Sequence, residues 1–297
     1  MTTLRIATRG SKLALVQAEL AATKLREAHP GLDVSLVIVT TAGDRDQTTP
    51  LPEGDRAGWF TSAIQDALLR EEADVAVHSY KDLPTKRPDG LVIAAAPLRE
   101  DPRDALVSRS RAGLRALPKG AVVGTSSPRR TAQLLELRPD LDVRPIRGNV
   151  ETRIAKVEAG EFDAAVLALA GLRRLGLEAR ADEVFGLEEM LPAPAQGALA
   201  LECRAADTET RTLLAAIDDL ALRQAVTAER MFLAAIDGGC SFPAAAHAVH
   251  FGTTLKLSAL IAADGQIIRS KMAGPAEAAA GLGRELAEEL MARAGLR

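Results

Sequence analysis

The stretch Ala121-Val122-Val123-Gly124-Thr125-Ser126-Ser127-Pro128-Arg129-Arg130 shows the order of elements on which the fold prediction depends. It begins with a short apolar, β-branched run that is typical of a buried strand. Ser127 is a favourable N-cap, and Pro128 suits the first turn of a helix, where its missing N–H leaves no bond unmade. The stretch therefore predicts a strand, a hydroxyl-rich loop and a capped helix in direct succession.

The same succession recurs along the chain up to residue 168. Helices are predicted from the Ser11 cap to about Ala28, over about 61–71 and over about 150–159, and a polar loop is predicted at 41–58. Strands are predicted at Leu4–Thr8, Val34–Thr40, Asp74–His78, Leu91–Ala96, Ala105–Ser108, Val143–Ile146 and Ala164–Ala168. Strands that alternate with helices indicate parallel or mixed sheets covered on both faces.

The last part of the chain has a different pattern. The proline-rich segment 191–197 reads as a connector, and helices are predicted at 208–217 and 220–236. Alternating strands follow at Ala246–His250, Thr254–Ala262 and Gln266–Met272, with Asp264-Gly265 as a hairpin turn and one amphipathic helix from Pro275 onward. This order predicts a separate α+β domain.

Composition excludes several classes of protein. The 297 residues suggest two or three domains, and a formal charge of −3 provides no basic field for nucleic acid. No apolar run is long enough to span a membrane, and no secretion signal precedes the first strand, so we expect a cytoplasmic protein. Two cysteines and four scattered histidines suggest neither a disulfide framework nor a metal site.

Arginine-bearing loops are the main chemical signal. The chain has 29 arginines and 8 lysines, and several arginines follow predicted strands. Arginine forks, hydroxyl groups and helix N-termini bind carboxylates and phosphates. The loops that follow predicted strands are Arg9-Gly10-Ser11, His78-Ser79-Tyr80-Lys81-Asp82, Ser126-Ser127-Pro128-Arg129-Arg130 and Arg147-Gly148-Asn149, and the second carries Lys81 instead of an arginine. They suggest a ligand with several anionic groups, although ordinary capping and surface ion pairs would give similar residues.

Two single residues are also candidates. Cys240, in Gly238-Gly239-Cys240, is either a thiol presented on a tight turn or a small buried side chain, whereas Cys203 reads as a core residue. Asp82 follows Lys81 and could accept a proton or stabilise a developing positive charge, or it could simply be a turn residue.

A series of ordered motifs extends over essentially the full length of the chain. The first are Ile6-Ala-Thr-Arg9-Gly-Ser11, Val77-His-Ser-Tyr-Lys81-Asp82-Leu-Pro84, Arg99-Glu-Asp101-Pro-Arg103-Asp104 and Gly124-Thr-Ser-Ser127-Pro-Arg129-Arg130. The series continues with Ile146-Arg-Gly-Asn149-Val-Glu-Thr-Arg153, Leu169-Ala-Gly-Leu-Arg-Arg174, Leu191-Pro-Ala-Pro-Ala-Gln-Gly-Ala198 and Gly238-Gly-Cys240. With these motifs the chain resembles the porphobilinogen deaminase (hydroxymethylbilane synthase) family.

The resemblance implies an α/β fold with two periplasmic-binding-protein-like lobes around a cleft and a smaller C-terminal α+β domain. The implied boundaries are 1–97 with 196–217 for the first lobe, 98–195 for the second and 218–297 for the C-terminal domain. The resemblance also implies a dipyrromethane cofactor, held on Cys240 by a thioether, and a monomer without metal.

The site residues are likewise implied by the resemblance. Asp82 would be the catalytic carboxylate, and Asp44 would lie at the edge of the cleft. The implied cofactor-binding residues are Lys81, Asp82, Thr125, Ser126, Ser127, Arg129, Arg130, Arg147 and Gly148. The implied substrate-binding residues are Arg9, Ser11, Gln17, Arg99, Arg147, Arg153, Arg174 and Gln196.

The implied reaction joins four porphobilinogen molecules to a primer with loss of ammonia and releases hydroxymethylbilane by hydrolysis. Asp82 would stabilise the cation that forms as ammonia leaves. The chain departs from the family pattern in the 41–58 loop, where Ala42, Glu53 and Ala57 stand at positions that are often basic. Arg45 or Arg56 would have to replace those contacts. Pro128 stands where a leucine is common and would only stiffen the helix start.

The residues alone leave two other functions open. A two-lobed anion-binding module would use the same arginine loops but would need neither Asp82 nor Cys240, and it would carry a secretion signal. A cysteine hydrolase would need a histidine paired with Cys240, and the sequence indicates none.

Overall fold

The computed structural model describes residues 3–41, 58–236 and 242–296. Its contacts divide the chain into two compact units, Met1–Glu100 with Gly197–Arg223 and Asp101–Gln196 with Gln224–Arg297. The first unit, called lobe 1 below, holds one five-stranded sheet. The second unit holds another five-stranded sheet, called lobe 2 with its helices, and a three-stranded sheet, called the C-terminal subdomain. The α/β prediction is confirmed.

Lobe 1 contains β1 (Thr3–Arg9), β2 (Asp33–Val39), β3 (Val75–Ser79), β4 (Leu91–Ala95) and β10 (Leu199–Arg204) in the order β2-β1-β3-β10-β4. The first three strands are mutually parallel, and β10 runs antiparallel to β3 and β4. Helix α1 (Lys12–Ala28) packs against Ile6 and Val75, whereas α2 (Gly58–Leu69) packs against Ala7 and Ala76. Since neighbouring strand residues point to opposite faces, the two helices cover opposite faces.

Lobe 2 contains β5 (Asp104–Ser108), β6 (Val122–Gly124), β7 (Asp142–Arg144), β8 (Ala164–Ala168) and β9 (Glu183–Val184) in the order β7-β6-β8-β5-β9. Helix α3 (Pro128–Leu137) covers one face, and α4 (Val150–Glu158) with α5 (Leu169–Arg174) covers the other. The strands β6, β7 and β8 are parallel, and β5 runs antiparallel to β8.

The two large sheets therefore share one strand pattern. In each, three parallel strands in the order second-first-third are followed by an antiparallel strand and one further strand. Ligands of open α/β sheets bind outside the carboxyl ends of the strands. The loops that carry the predicted site residues lie at this edge in each lobe.

The C-terminal subdomain is an antiparallel sheet of β11 (Ala244–Phe251), β12 (Thr254–Ala263) and β13 (Gln266–Pro275). Helices α7 (Leu220–Ala235) and α8 (Ala279–Arg293) pack on it around a core that includes Phe232, Leu257 and Leu286. Positive φ angles of 49° at Asp264 and 75° at Gly265 form the hairpin turn between β12 and β13. The hairpin prediction is confirmed.

Some elements differ from the sequence predictions. Pro275 both ends β13 and caps a short 3₁₀ helix, Ala276–Ala278, so that α8 begins only at Ala279. The sequence predicted no helix at Leu169–Arg174, where α5 lies, and β7 ends at Arg144 rather than at Ile146. Helix α6 (Thr208–Ala215) packs in lobe 1 through Leu214. Among the residues that the structure describes, no helix has the length and apolar character needed to cross a membrane.

Candidate active site

In lobe 1, the carboxyl ends of two parallel strands bring predicted site residues to one sheet edge. Strand β1 ends at Arg9 and its neighbour β3 ends at Ser79. Ser11 caps α1, where its hydroxyl oxygen accepts a hydrogen bond from the Ala14 amide at 3.4 Å. The chain thus places Arg9, Ser11 and the residues after Ser79 at the same edge.

Asp82 ends a short 3₁₀ helix, Tyr80–Asp82, directly after β3, and its side chain is exposed. The Tyr80 amide donates to the Ala198 carbonyl at 3.0 Å, and the Leu83 amide donates to the Tyr80 carbonyl at 3.3 Å. Leu83 itself is only 1% exposed. Buried anchors on both sides of the turn therefore hold the Asp82 carboxylate at the surface of lobe 1.

Gln17 is 4% exposed, and its amide is engaged with Ser79. The Gln17 Nε2 donates to the Ser79 Oγ at 2.9 Å, and that hydroxyl donates to the Gln17 Oε1 at 3.1 Å. This contact joins α1 to the end of β3. Substrate binding by Gln17 stays a prediction.

Arg99 reaches the same edge through a bridge between its backbone and Ala198, the residue before β10. Gly197 has φ +85°, and a Cβ at this position would lie 2.2 Å from the Glu100 carbonyl oxygen. The Glu100 amide also donates to the Gly197 carbonyl at 3.0 Å. Only glycine fits this close approach of two backbones.

In lobe 2, Asp104 is fully buried between Arg129 and Arg130, which are 4% and 6% exposed. The Arg129 Nη1 donates to the Asp104 Oδ2 at 2.7 Å, and the Arg130 Nη2 donates to the Asp104 Oδ1 at 2.6 Å. The Gln196 Nε2 donates to the same Oδ1 at 2.9 Å. The cluster contains two guanidinium groups and one carboxylate, so it has one positive charge left for an anionic ligand.

The ionisation of this cluster follows from the balance of burial and charge. Burial opposes ionisation of Asp104, but the positive charges and hydrogen bonds of Arg129 and Arg130 outweigh it and hold the pKa of Asp104 well below its ordinary value. Burial also lowers the pKa of Arg129, against the raising effect of the Asp104 charge. Asp104 therefore serves as a permanent counter-ion in the folded protein.

The hydroxyl loop after β6 is joined to the segment after β7. The Ser126 Oγ donates to the Ile146 carbonyl at 2.8 Å and accepts from the Ile146 amide at 3.1 Å. The Thr125 amide donates to the Arg144 carbonyl at 2.9 Å, and Ser127 caps α3 by accepting from the Arg130 amide at 3.5 Å. These contacts hold both predicted cofactor loops at one edge of lobe 2.

Gly148 forms the turn before α4 with φ +110°. A Cβ there would lie 2.6 Å from the Thr152 Cγ2, and the Gly148 carbonyl accepts from the Arg153 Nε at 2.8 Å. Arg174 is the last residue of α5, which follows β8 at this same edge. The lobe 2 edge thus brings together Thr125, Ser126, Ser127, Arg129, Arg130, Arg147, Gly148, Arg153, Arg174 and Gln196.

Some buried arginine donors at this edge have no hydrogen-bond partner among the described residues, and the Arg129 Nε and the Arg147 Nη1 are two of them. A buried donor without an acceptor is costly, so such groups call for a ligand or water. Anionic carboxylates would satisfy both donors and would also balance the excess charge of the Asp104 cluster.

Several predicted residues lie outside the described parts of the chain. They are Cys240 and the loop positions Ala42, Asp44, Arg45, Glu53, Arg56 and Ala57. The other cysteine, Cys203, is buried in β10, and burial raises the pKa of its thiol to about 11. Over residues 3–41, 58–236 and 242–296, no cluster of histidine, cysteine and acidic side chains could hold a metal ion.

Some residues of the two edges had no role in the sequence prediction. Asp104 lies within the quoted motif 99–104, yet only the fold reveals it as the counter-ion of Arg129 and Arg130. Glu202 and Gln65 also had no role there, and they form a buried polar cluster in lobe 1 with His78 of the predicted loop 78–82. A polar residue inside an apolar strand pattern, such as Glu202 in Leu199-Ala-Leu-Glu-Cys203, is the signal that could have found it.

Comparison with known proteins decides the family. A family model described as "Porphobilinogen deaminase, dipyromethane cofactor binding domain" matches residues 4–212, and one for the C-terminal domain of porphobilinogen deaminase matches residues 223–292. The chain belongs to the porphobilinogen deaminase family. It is accordingly an enzyme, a transferase of tetrapyrrole biosynthesis with a dipyrromethane cofactor.

Relatives within the porphobilinogen deaminase family are similar over nearly the whole chain. The porphobilinogen deaminase of Roseiflexus castenholzii is 48% identical over 293 residues, which cover 98% of this chain and 97% of the relative. That of Syntrophotalea carbinolica is 47% identical over 292 residues, which cover 98% and 93%. The resemblance seen in the sequence motifs is confirmed.

Solved structures of binding proteins are more distant from this porphobilinogen deaminase family member. The periplasmic VFT2 domain of Bordetella pertussis BvgS is 17% identical, with a TM-score of 0.45 over 72% of this chain and 86% of that chain. The methionine binding protein MetQ is 14% identical, with a TM-score of 0.47 over 72% and 89%. No functional conclusion for this chain follows from these likenesses.

The lobe 2 edge of this porphobilinogen deaminase family member fits its cofactor. Each pyrrole ring of a dipyrromethane bears an acetate and a propionate group, as the family resemblance implies. The unsatisfied donors on Arg129 and Arg147 and the net positive charge around Asp104 are the groups that such carboxylates require.

Proposed function

We propose that this enzyme extends the primer on Cys240 by four porphobilinogen units, with Asp82 as its catalytic carboxylate, and releases hydroxymethylbilane by hydrolysis. The observation that carries the proposal is that the Arg129 Nε and the Arg147 Nη1, buried at the lobe 2 edge, have no hydrogen-bond partner in the described parts of the chain. Family membership supports this choice of ligand, since a carboxylate-rich pyrrole chain supplies acceptors for both.

The proposed cofactor site consists of Arg129, Arg130, Arg147, the hydroxyl loop 125–127 and Gly148. Arg129 and Arg147 donate hydrogen bonds to the carboxylates of the cofactor. Gly148 forms the turn because the Cβ of any other residue would collide with Thr152. When bound, the dipyrromethane supplies the pyrrole carbon to which porphobilinogen is added. Lys81 is a further cofactor-binding residue that the family resemblance implies.

Asp82 acts on the charge of the reacting porphobilinogen. Loss of ammonia leaves a cation delocalised over the pyrrole ring, and the exposed Asp82 carboxylate stabilises that cation and accepts a hydrogen bond from the ring N–H. Its position between two buried anchors keeps the carboxylate oriented without help from the substrate. Arg9, Ser11, Arg99, Arg153 and Arg174 bind the carboxylates of porphobilinogen, with Gln17 and Gln196 as support.

We also propose that the protein is a cytoplasmic monomer that binds neither nucleic acid nor a membrane. The formal charge of −3 and the absence of a long apolar run support these statements. A sedimentation measurement of the holoenzyme would test the monomer.

The experiment that tests the function follows ammonia and bilane together. The purified protein is given porphobilinogen, and ammonia release and hydroxymethylbilane formation are measured over time. We expect about four ammonia molecules for each bilane, since the reaction joins four units. A Cys240→Ser variant should release no bilane. A two-lobed anion-binding module would bind porphobilinogen but release no ammonia.

A further inference from the structure

The end of strand β3 is held on both faces of the lobe 1 sheet by buried side chains. On one face, Gln17 of α1 makes its two hydrogen bonds with Ser79. On the other face, the His78 Nε2 lies 3.0 Å from the Glu202 Oε2 of β10. The Gln65 Nε2 of α2 lies 3.2 Å from both oxygens of the same carboxylate. We call these five residues the strand-end clamp.

The residues around Glu202 are almost completely buried. Glu202 is 0% exposed, Gln65 is 4% exposed and His78 is 5% exposed. Hydrogen bonds from the Gln65 Nε2 and from a His78 ring that carries its hydrogen on Nε2 would satisfy the Glu202 oxygens. Burying a carboxylate among apolar residues such as Ile64 and Ala76 is unfavourable unless its bonds are made. An apolar side chain would fill this position at lower cost, so the cluster calls for a role besides packing.

The position of the clamp suggests that role. His78 and Ser79 are consecutive, and their side chains point to opposite faces, as the strand geometry requires. Asp82 follows three residues after Ser79, in a turn whose first amide is bound to the Ala198 carbonyl. Any rotation or slip of the end of β3 would move the Asp82 carboxylate directly.

We propose that the strand-end clamp is a positioning device for Asp82, in which Glu202 and His78 fix one face of the strand end and Gln17 fixes the other. Hydrogen bonds have directional preferences, so bonds from two sides restrict rotation of the strand end more strongly than apolar packing does. The inference rests on the proposed function of Asp82. It assigns positioning roles to the buried side chains of Glu202, His78 and Gln65.

The test uses the holoenzyme and pairs of variants that differ in one bond. Glu202→Gln removes the charge that accepts from both neighbours. His78→Leu removes the donor, whereas His78→Gln retains an N–H that can still reach Glu202. Thr210→Val is the matched control, because it removes a hydroxyl bond of 2.8 Å to Asp207 from a residue of the same lobe that is 5% exposed.

Positioning predicts a particular kinetic pattern. A misplacement on the order of 1 Å can lower the rate by up to about 100-fold, so Glu202→Gln and His78→Leu should lower kcat by ~10- to ~100-fold. KM should stay within about twofold because ground-state contacts are unchanged. His78→Gln should recover most of kcat, and Thr210→Val should lower the melting temperature without changing kcat.

Hydrogen exchange provides a readout that does not depend on catalysis. In Glu202→Gln and His78→Leu, the amides of residues 80–83 should exchange faster, whereas those of β5 in lobe 2 should not change. Unchanged exchange together with an unchanged kcat would overturn the clamp. A kcat that falls equally in His78→Gln and His78→Leu would also contradict it.

The double variant Glu202→Gln with Asp82→Glu separates this inference from the proposed function. If the clamp acts through Asp82, the two losses of kcat should be less than multiplicative, because the second change acts on a carboxylate already misplaced. If the loss of kcat in the double variant equalled the product of the two single losses, the positioning role would be overturned. If instead Asp82→Asn kept normal turnover while exchange at 80–83 still responded to Glu202→Gln, the clamp would hold the turn and the catalytic assignment of Asp82 would fail.

Discussion

The Oδ2 atom of Asp104 lies 2.7 Å from the Nη1 atom of Arg129, and the side chains of the two residues are 0% and 5% exposed. The same Nη1 donates to the Leu191 carbonyl at 2.8 Å, so one guanidinium joins the start of β5 to the connector at 191–197. The Arg129 Nε has no partner among the described residues. One arginine thus has both structural bonds and a donor left for a ligand.

Asp104→Asn should destabilise the fold, because it leaves Arg129 and Arg130 buried without a counter-ion. Breaking a buried ion pair costs about 3–5 kcal/mol of unfolding free energy, and we expect a loss of this size at pH 7. The measurement is denaturant unfolding. Asp142→Asn is the control, since Asp142 pairs with Arg144 at the surface of the same lobe, where their side chains are 43% and 58% exposed, and exposed pairs contribute at most about 1 kcal/mol.

The stabilisation that Asp104→Asn removes should depend on pH. The pKa of Asp104 is lowered in the folded state, so its contribution to stability is fully present above the ordinary value of 3.8 and is lost as the pH falls through the lowered pKa. The difference in unfolding free energy between the parent and Asp104→Asn should therefore shrink below pH 3.8. A difference that stayed constant into acid would contradict the ion pair.

Arg129→Leu and Arg130→Leu should each block cofactor assembly or early elongation, whereas Arg153→Leu should keep the cofactor and slow substrate entry or later steps. Losing the partner of a desolvated carboxylate costs roughly 2–5 kcal/mol. Intact mass reports cofactor content, and single-turnover kinetics report elongation. Arg109→Leu, at an exposed position on the same lobe, should match the parent. Normal cofactor content and turnover in all three site variants would show that these arginines bind no carboxylate.

Gly148→Ala should reduce cofactor content, because the added Cβ would lie 2.6 Å from the Thr152 Cγ2 at a backbone φ of +110°. Gly176→Ala is the matched control, since Gly176 also has positive φ, +69°, but has no atom within 4 Å of the added Cβ. A left-handed conformation alone costs a side chain roughly 1–2 kcal/mol. Equal cofactor content in the two variants would show that the Gly148 turn is not part of the cofactor site.

Asp82→Asn should keep the fold and the cofactor but nearly abolish turnover. The amide has the shape of the carboxylate but lacks the charge that stabilises the substrate cation, and it cannot accept a proton. Loss of a positioned acid–base group alone lowers the rate by about 10²–10⁴-fold, and electrostatic loss adds to this. Asp82→Glu should keep some activity, because the charge moves by one methylene only. Asp82→Asn with a kcat within a few-fold of the parent would direct the search to Asp44.

Local signals predicted most elements of the fold. Ser11, Ser127 and Asn149 cap α1, α3 and α4, and each lies after a strand that apolar composition had indicated. Helix α5 was missed because its first residues continue the apolar run of β8 and its cap, Ala168, has no side chain that can bond the helix. Pro275 was misread because proline is tolerated at the end of an edge strand such as β13.

The sequence predicted fewer features of the candidate active site than of the fold. The loops at the two sheet edges follow from strand and helix order, so Arg9, Asp82, Arg129 and Arg147 could be placed from the sequence. The contacts of Asp104 with Arg129 depend on the antiparallel pairing of Asp104 with Ala168, and nothing local in the sequence specifies that register. The contact of His78 with Glu202, residues 124 positions apart, likewise depends on the pairing of β3 with β10.

The most direct test of the central claim, a permanent primer on Cys240, is the intact mass of the purified holoenzyme followed by peptide mapping. The account predicts a mass above that of the bare chain by two porphobilinogen units less two ammonia molecules, located on the peptide that contains Cys240. Cys203 should be unmodified, since burial raises the pKa of its thiol to about 11. An unmodified chain from cells able to make porphobilinogen, with no activity recovered on adding substrate, would contradict the account.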